Sequence, residues 1–347
     1  MAILFDAAVS PDALTTFVRE VPTPSALALS SLFPTRFVDD NAVDWQEVNA
    51  TNRTARFRSY DGRIHVSERD AGSTRKVALP PLSSSLSLGE YERLQLEFAR
   101  TQGTNQGALA NAIYNDGERL TREVQNRMEM AWGDVLTDGI LSINENGLVS
   151  TADFGVPSSH KITAGTLWTV TGSGAADIFS QLQAAVDVYV ETNGFPPGSI
   201  LASTRVRRLA QINPSLINAV AGSAAGRTRV SITEINDVLI GEGLPYFREP
   251  YDTRLDVDGT STRAIADDRV VLLPPDVADL GYTAYGVSAT ALELVGSNQS
   301  ELDFEDAAGI VGVVEKAGPP YREFTFVDAV GMPILSNAKL LMILDVA

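Results

Sequence analysis

Apolar residues recur at three-, four- and seven-residue spacings through Leu109, Ile113, Leu120, Val124, Met128, Ala131 and Val135. That period marks one amphipathic helix, predicted over 106–141 and roughly 50 Å long at 1.5 Å per residue. Its polar face carries Asp116, Glu118, Glu123, Glu129, Asp134 and Asp138 against Arg119, Arg122 and Arg127, so it is net acidic. A different period runs through 54–69. Residues 54–60 and 63–69 alternate around Asp61-Gly62, a pair favoured in two-residue hairpin turns. With that turn, Tyr60 faces Arg63, Arg58 faces His65 and Arg56 faces Ser67 on one side. Ser59 with Ile64, and Phe57 with Val66, share the other. One face is basic and the other apolar.

Around these two features the chain reads as shorter pieces. Residues 11–18 predict a short helix, after which Pro22, Pro24 and Pro34 break the chain into extended segments as far as Trp45. Further helices are predicted over 90–100, 178–191 and 205–212, strands over 147–156 and 166–171, and a hairpin turn at Asp258-Gly259.

Composition narrows the function. The 347 residues are 44% hydrophobic and 20% charged, which suits a folded protein of two domains. No run approaches the ~18 apolar residues of a membrane span. The start lacks a basic region and meets Asp6, so no secretory signal is read and the chain is expected in a cytoplasm. The absence of cysteine excludes disulfides, thiolate metal sites and cysteine nucleophiles. A net charge of −17 repels nucleic acid and disfavours sequence-reading DNA binding. Yet over 50–76 seven bases (Arg53, Arg56, Arg58, Arg63, Arg69, Arg75, Lys76) oppose only Asp61, Glu68 and Asp70, a local net of +4. An isolated hairpin is marginal in water, so a basic arm of this kind needs an acidic surface to lie on, such as a neighbouring copy.

Chemical motifs are weak. Gly172-Ser-Gly174 lacks the third glycine and following acid of a dinucleotide site and reads as a turn, which leaves an oxidoreductase a remote reading. Asp256-Val-Asp258-Gly259 lacks the closing acid of a calcium loop. His65 reads as a strand residue. No catalytic, cofactor-binding or metal-ligating set is predicted.

From residue 177 the order of segments becomes informative. A helix leads to Gly194-Phe-Pro-Pro-Gly-Ser-Ile-Leu-Ala-Ser203, a second helix to Asn213-Pro214, and then come Ile232-Thr-Glu-Ile-Asn-Asp-Val-Leu, Gly243-Leu-Pro-Tyr-Phe and Asp268-Arg-Val-Val-Leu-Leu-Pro274. This succession resembles the apical domain of tailed-phage major capsid proteins with the Hong Kong 97 fold. Ser31-Leu-Phe-Pro34, Val43-Asp-Trp45, Arg322-Glu-Phe-Thr and Pro333-Ile-Leu resemble the lambda-type major capsid family.

The resemblance implies an α+β fold. An N-arm would span 1–45, an extended loop with the basic hairpin 46–88, a peripheral domain 89–172 and 309–347, and an inserted apical domain 173–308. The long helix would be the spine helix. It implies a non-enzymatic major capsid protein, without cofactor, that assembles into hexamers and pentamers of an icosahedral head around double-stranded DNA. Expected partners are further copies, a portal, a decoration protein and, because the N-arm pattern begins almost at Met1, a separate scaffolding protein unless the chain is a processed form; no membrane is involved. Assembly would occur in the host cytoplasm and the product would be the virion capsid. The expected inter-subunit contacts set Arg56, Arg58 and Arg63, backed by Phe57 and Val66, against Glu123 and Glu129 of a neighbour. The alternative is an encapsulin-like bacterial nanocompartment shell.

Overall fold

The computed structural model describes residues 3–4, 9–48, 60, 72–101, 107–222, 226–297, 302–319 and 322–347. The long helix, α4, runs over Ala108–Asp138. It stops short of the predicted end because Gly139 adopts a left-handed conformation (φ 76°) and its N–H bonds the Val135 carbonyl. Ile140 and Leu141 therefore open strand β6 (Ile140–Glu145), which pairs with β7 (Leu148–Asp153) around Asn146-Gly147. Helix α1 (Pro11–Glu20) and helix α3 (Glu90–Thr101) also form where the pattern places them. Ser10 caps α1 by accepting from the Ala13 N–H, and Pro11 takes the first helical position, where its missing donor costs nothing.

Helix α4 lies on a six-stranded sheet whose axis is the 14-residue strand β16 (Arg322–Leu335). On one side β16 pairs with β15 (Val311–Ala317), and β15 in turn pairs with β1 (Ile3–Leu4). β14 (Gly281–Gly286) continues that same edge of β16 from Val330 to Leu335 and takes β2 (Thr35–Phe37) as a parallel neighbour, while β5 (Pro81–Leu88) runs along the opposite edge. The period of two is visible along β16: Glu323, Thr325, Val327 and Ala329 are buried on the helix side, while Phe324, Phe326 and Asp328 are half-buried on the other. Helix α9 (Ala289–Val295) covers part of that second face through Ala291 and Leu294.

A five-stranded sheet forms the second layer, in the order β10 (Tyr246–Phe247), β9 (Ser199–Ala202), β13 (Arg269–Leu273), β17 (Met342–Asp345) and β8 (Lys161–Thr163). Val270 to Leu273 are wholly buried, the mark of a strand covered on both faces. Around it stand α5 (Ile178–Asn193), α6 (Thr204–Ile212), α7 (Pro214–Ala221) and α8 (Ile232–Gly241), the last opened by a Ser231–Glu234 capping box. Sheet membership cuts across the segment boundaries read from the sequence. Gly281–Gly286 pairs with β16, and Met342–Asp345 pairs with Arg269–Leu273.

Two local expectations are corrected or sharpened. Residues 166–171 form turns, not a strand: Trp168 is buried as a plug, its backbone N–H on the Val346 carbonyl at 2.7 Å and its Nε1 on Gln181 Oε1 at 2.8 Å. The Asp258-Gly259 turn joins β11 (Arg254–Val257) to β12 (Thr260–Arg263), with φ of 52° and 80° as a tight hairpin turn requires.

Candidate inter-subunit surface

Strands β3 (Ala42–Val48) and β4 (Gly72–Ala78) pair from Ala42↔Ala78 to Val48↔Gly72 as a two-stranded ribbon with no third strand among the described residues. Its root is held by buried Val43 and Leu79 and by the Leu79 N–H on the Asn41 carbonyl at 2.8 Å. Its far end leads into 49–71. Arg56, Phe57, Arg58, Arg63 and Val66, with His65 and the Asp61-Gly62 turn, lie outside the described residues.

The two acids expected to meet those arginines have separate fates. Glu123 stands on the exposed side of α4, where it accepts from the Ser84 hydroxyl and faces Arg119 Nε at 3.9 Å. It borders a cleft of about 830 Å³ between α4, the β6–β7 hairpin and the β11–β12 hairpin. Arg127 in that cleft is paired with Glu145 at 2.9 Å, while Asp256 and Asp258 add two further acids. The cleft is therefore polar and slightly acidic.

Glu129 is not on the docking face. It is 0% exposed and accepts four hydrogen bonds: from the backbone N–H groups of Leu29 (2.9 Å) and Ser30 (2.8 Å), the Ser30 hydroxyl (2.7 Å) and the Tyr251 hydroxyl (2.8 Å). The reason lies in helix α2 (Ala28–Leu32), whose N-cap position is Leu27 and supplies no side-chain acceptor. The carboxylate takes the orphan donors of that helix in its place. Burial, and then the Glu129 charge, push the Tyr251 hydroxyl far above its usual pKa, so it stays a donor. Nearly one turn along α4, Trp132 stacks on Phe33 with ring centroids 3.6 Å apart and donates Nε1–H to Thr283 Oγ1 at 2.9 Å. Glu129 and Trp132 thus bind the N-arm, the long helix and the Tyr251 segment into one junction.

Ser30, Tyr251 and Trp132 were missed by the sequence reading. The signal was the line Gln125, Glu129, Trp132 and Leu136, all buried, which marks a second covered stripe on α4.

His160 is internal as well. Its ring nitrogens face the Leu341 carbonyl and the Thr192 hydroxyl, each at 3.0 Å, and burial lowers its pKa. Among the described residues no group of three or more His, Cys, Asp or Glu is placed to hold a metal ion.

The surface ribbon, without a third strand among the described residues, stands on a two-sheet body built around one long helix. The family model described as phage major capsid protein E matches residues 10–310. The chain belongs to that family. It is a major capsid protein, the self-assembling subunit of a phage shell, and its place is the virion capsid. The encapsulin alternative falls with that assignment. A crystal structure described as the capsid protein of a prophage of E. coli CFT073 has a TM-score of 0.64 at 14% identity, with 100% of each chain covered. A phage-related protein from Bordetella bronchiseptica RB50 gives 0.53 at 14% identity over 98% of each chain. At that identity the likeness speaks for the fold, which is the α+β capsid fold expected from the segment order. No curated protein matches the chain in sequence.

Proposed function

We propose that this capsid protein packs as hexamers and pentamers into an icosahedral head around double-stranded DNA, with each copy laying residues 49–71 over a neighbour. The observation that carries this is the family match along 10–310. The two-stranded ribbon supports it, since such a ribbon has little stability until a further surface covers it. The arginines at 56, 58 and 63 are assigned to acids of the next copy, with Glu123 retained as one and Phe57 and Val66 packing beneath. The charge of −17 suits a container whose walls hold phosphate weakly, so that the genome slides as it enters. A separate scaffolding protein, a portal and a decoration protein complete the assembly, which takes place in the host cytoplasm. No catalytic step is assigned.

Electron microscopy of purified protein, alone and with co-expressed scaffolding protein, tests the reading. Shells, rings or capsomers are expected. Light scattering that found only a 37.1 kDa monomer at high concentration with scaffolding protein present would overturn it.

A further inference from the structure

Strand β5 borders the six-stranded sheet. It pairs with β16 along one edge, and among the described residues no strand pairs with the other. The outer edge of an antiparallel strand presents alternate N–H and C=O groups, a ready template for another strand. Soluble proteins blunt such edges with charge, proline or a bulge. Beyond its first residue β5 has none of these. Pro81-Leu-Ser-Ser-Ser-Leu-Ser-Leu88 is uncharged, and its register with β16 runs from Val330↔Pro81 to Glu323↔Leu88 without a slip.

Both sides of this edge are acidic. Glu123 stands on the helix side, bonded by Ser84 of β5 itself. On the opposite side Ser83 opens a shallow hollow of about 390 Å³ floored by Val313 and Phe326, with Glu315 and Asp328 among its walls. The chain carries a segment of complementary character. Residues 49–71 hold five arginines against three acids, with Phe57, Ile64 and Val66 alternating among them. They leave from the far end of a ribbon whose seven pairs span about 23 Å, and 23 further residues, doubled back on themselves, reach up to about 35 Å beyond it.

We infer that the outer edge of β5 is a strand-addition site for residues 49–71 of a second copy. This rests on the shell reading above and names where the docking occurs. Every copy then has one edge and one ribbon without a strand partner among the described residues. Sharing them head to tail satisfies both in each copy, and a heterologous contact of this kind generates rings where the rotation between copies closes. An incoming strand with arginines on one face and apolar residues on the other sets its arginines beside Glu123 and its apolar face over the Ser83 and Phe326 side.

Because the chain lacks cysteine, single-cysteine variants test the contact directly. One set places cysteine at Phe57, Ser59 or Val66, on the face proposed to lie over Ser83, and the other, carrying an affinity tag, at Ser83, Ser85 or Ser87. Each pair is co-assembled, examined by electron microscopy, and oxidised. A disulfide needs Cα atoms within about 7 Å, so a tagged–untagged heterodimer is expected at one register, and none with Glu242→Cys as the distant partner. Shells that form but give no heterodimer at any pairing overturn the inference and leave the shell reading intact. Cross-links found only within doubly substituted single chains also overturn it, since the chain's own segment is then the occupant. Failure of even the unsubstituted protein to assemble overturns the shell reading and the inference together. On the unmodified protein, amide exchange over residues 82–88 is expected to slow at least tenfold from free subunit to shell; equal exchange overturns the strand addition.

Discussion

The junction at Glu129 and the ribbon β3–β4 are neighbours in the N-terminal arm's path, yet they reach stability by different routes. At the junction every donor facing the carboxylate has its acceptor within one subunit, and Phe33 is stacked on Trp132. The ribbon has two strands and a buried root, and what lies beyond is basic sequence without a described partner. The first region is complete before assembly. On the docking proposed above, the second acquires its partners only when copies meet. A shell subunit needs both, because a body that changed with assembly would not present a fixed template, and an arm already satisfied would not seek a neighbour.

The comparison breaks most sharply at Glu129. Glu129→Ala leaves the Leu29 and Ser30 N–H groups and the Tyr251 hydroxyl buried without acceptors, and each orphaned donor costs about 1–3 kcal/mol. A total loss on the order of 3 kcal/mol or more is expected in urea unfolding of the unassembled subunit. Glu129→Gln, which keeps one acceptor oxygen, should lose less. A midpoint unchanged in the alanine variant would mean the junction is not what holds the arm.

The converse break is at the arginines. Reversing Arg56 and Arg58 to glutamate should move subunit stability by less than about 0.5 kcal/mol, as for surface changes generally, while closed shells disappear from micrographs. A single exposed ion pair is worth only about 0.2–1 kcal/mol, but a closed shell repeats the term in every copy. Normal shells with unchanged salt sensitivity would show that these arginines do not dock.

The two regions also differ in how far they could be read from sequence. Periodicity exposed α4 because one apolar stripe persists over its whole length, and Asp258-Gly259 exposed its hairpin because few pairs tolerate two positive φ angles in succession. The same periodicity misplaced Glu129. A helix wheel with one apolar stripe assigns every other position to water, whereas α4 is covered on two sides, and Trp132 beside Glu129 was the mark of the second. Residues 166–171 failed for a related reason: Thr, Leu, Trp and Val favour strands locally, but Trp168 is committed to a tertiary site against Gln181 and Val346. The edge of β5 that no described strand pairs was invisible because an uncharged Ser/Leu run says nothing about which of its edges is paired.

A smaller effect, in the body of the subunit away from both regions, is read by pH. Burial holds the His160 imidazole below its ordinary pKa of about 6.5, so the unfolded chain takes up the proton first. The stability His160 contributes is complete above the ordinary imidazole range and is lost as pH falls through it. The urea midpoint of the free subunit should therefore drop between pH 7.5 and 5.5, and His160→Gln should flatten that part of the profile. An identical slope in both proteins would assign the pH dependence elsewhere.

The smallest expected effect is at the root of the ribbon. Lys76 is 63% exposed and faces Asp40 Oδ2 at 3.5 Å, an open ion pair worth at most about 1 kcal/mol. The other lysines, Lys161, Lys316 and Lys339, lie on the body of the subunit, so Lys76 is the one amine near the arm. A covalent lock between copies would need that amine uncharged and pressed against a neighbour's carboxamide, whereas it stands in water beside a carboxylate. With no cysteine available either, the shell is expected to be held by non-covalent contacts, chiefly the repeated arm-to-edge pairing. Mature particles boiled in detergent should run as single 37.1 kDa chains, and Lys76→Ala particles should look the same. A ladder of covalent oligomers that vanished in Lys76→Ala would mean that the arm, once docked, is bonded in place, and that its stability after assembly no longer depends on charge and strand pairing alone.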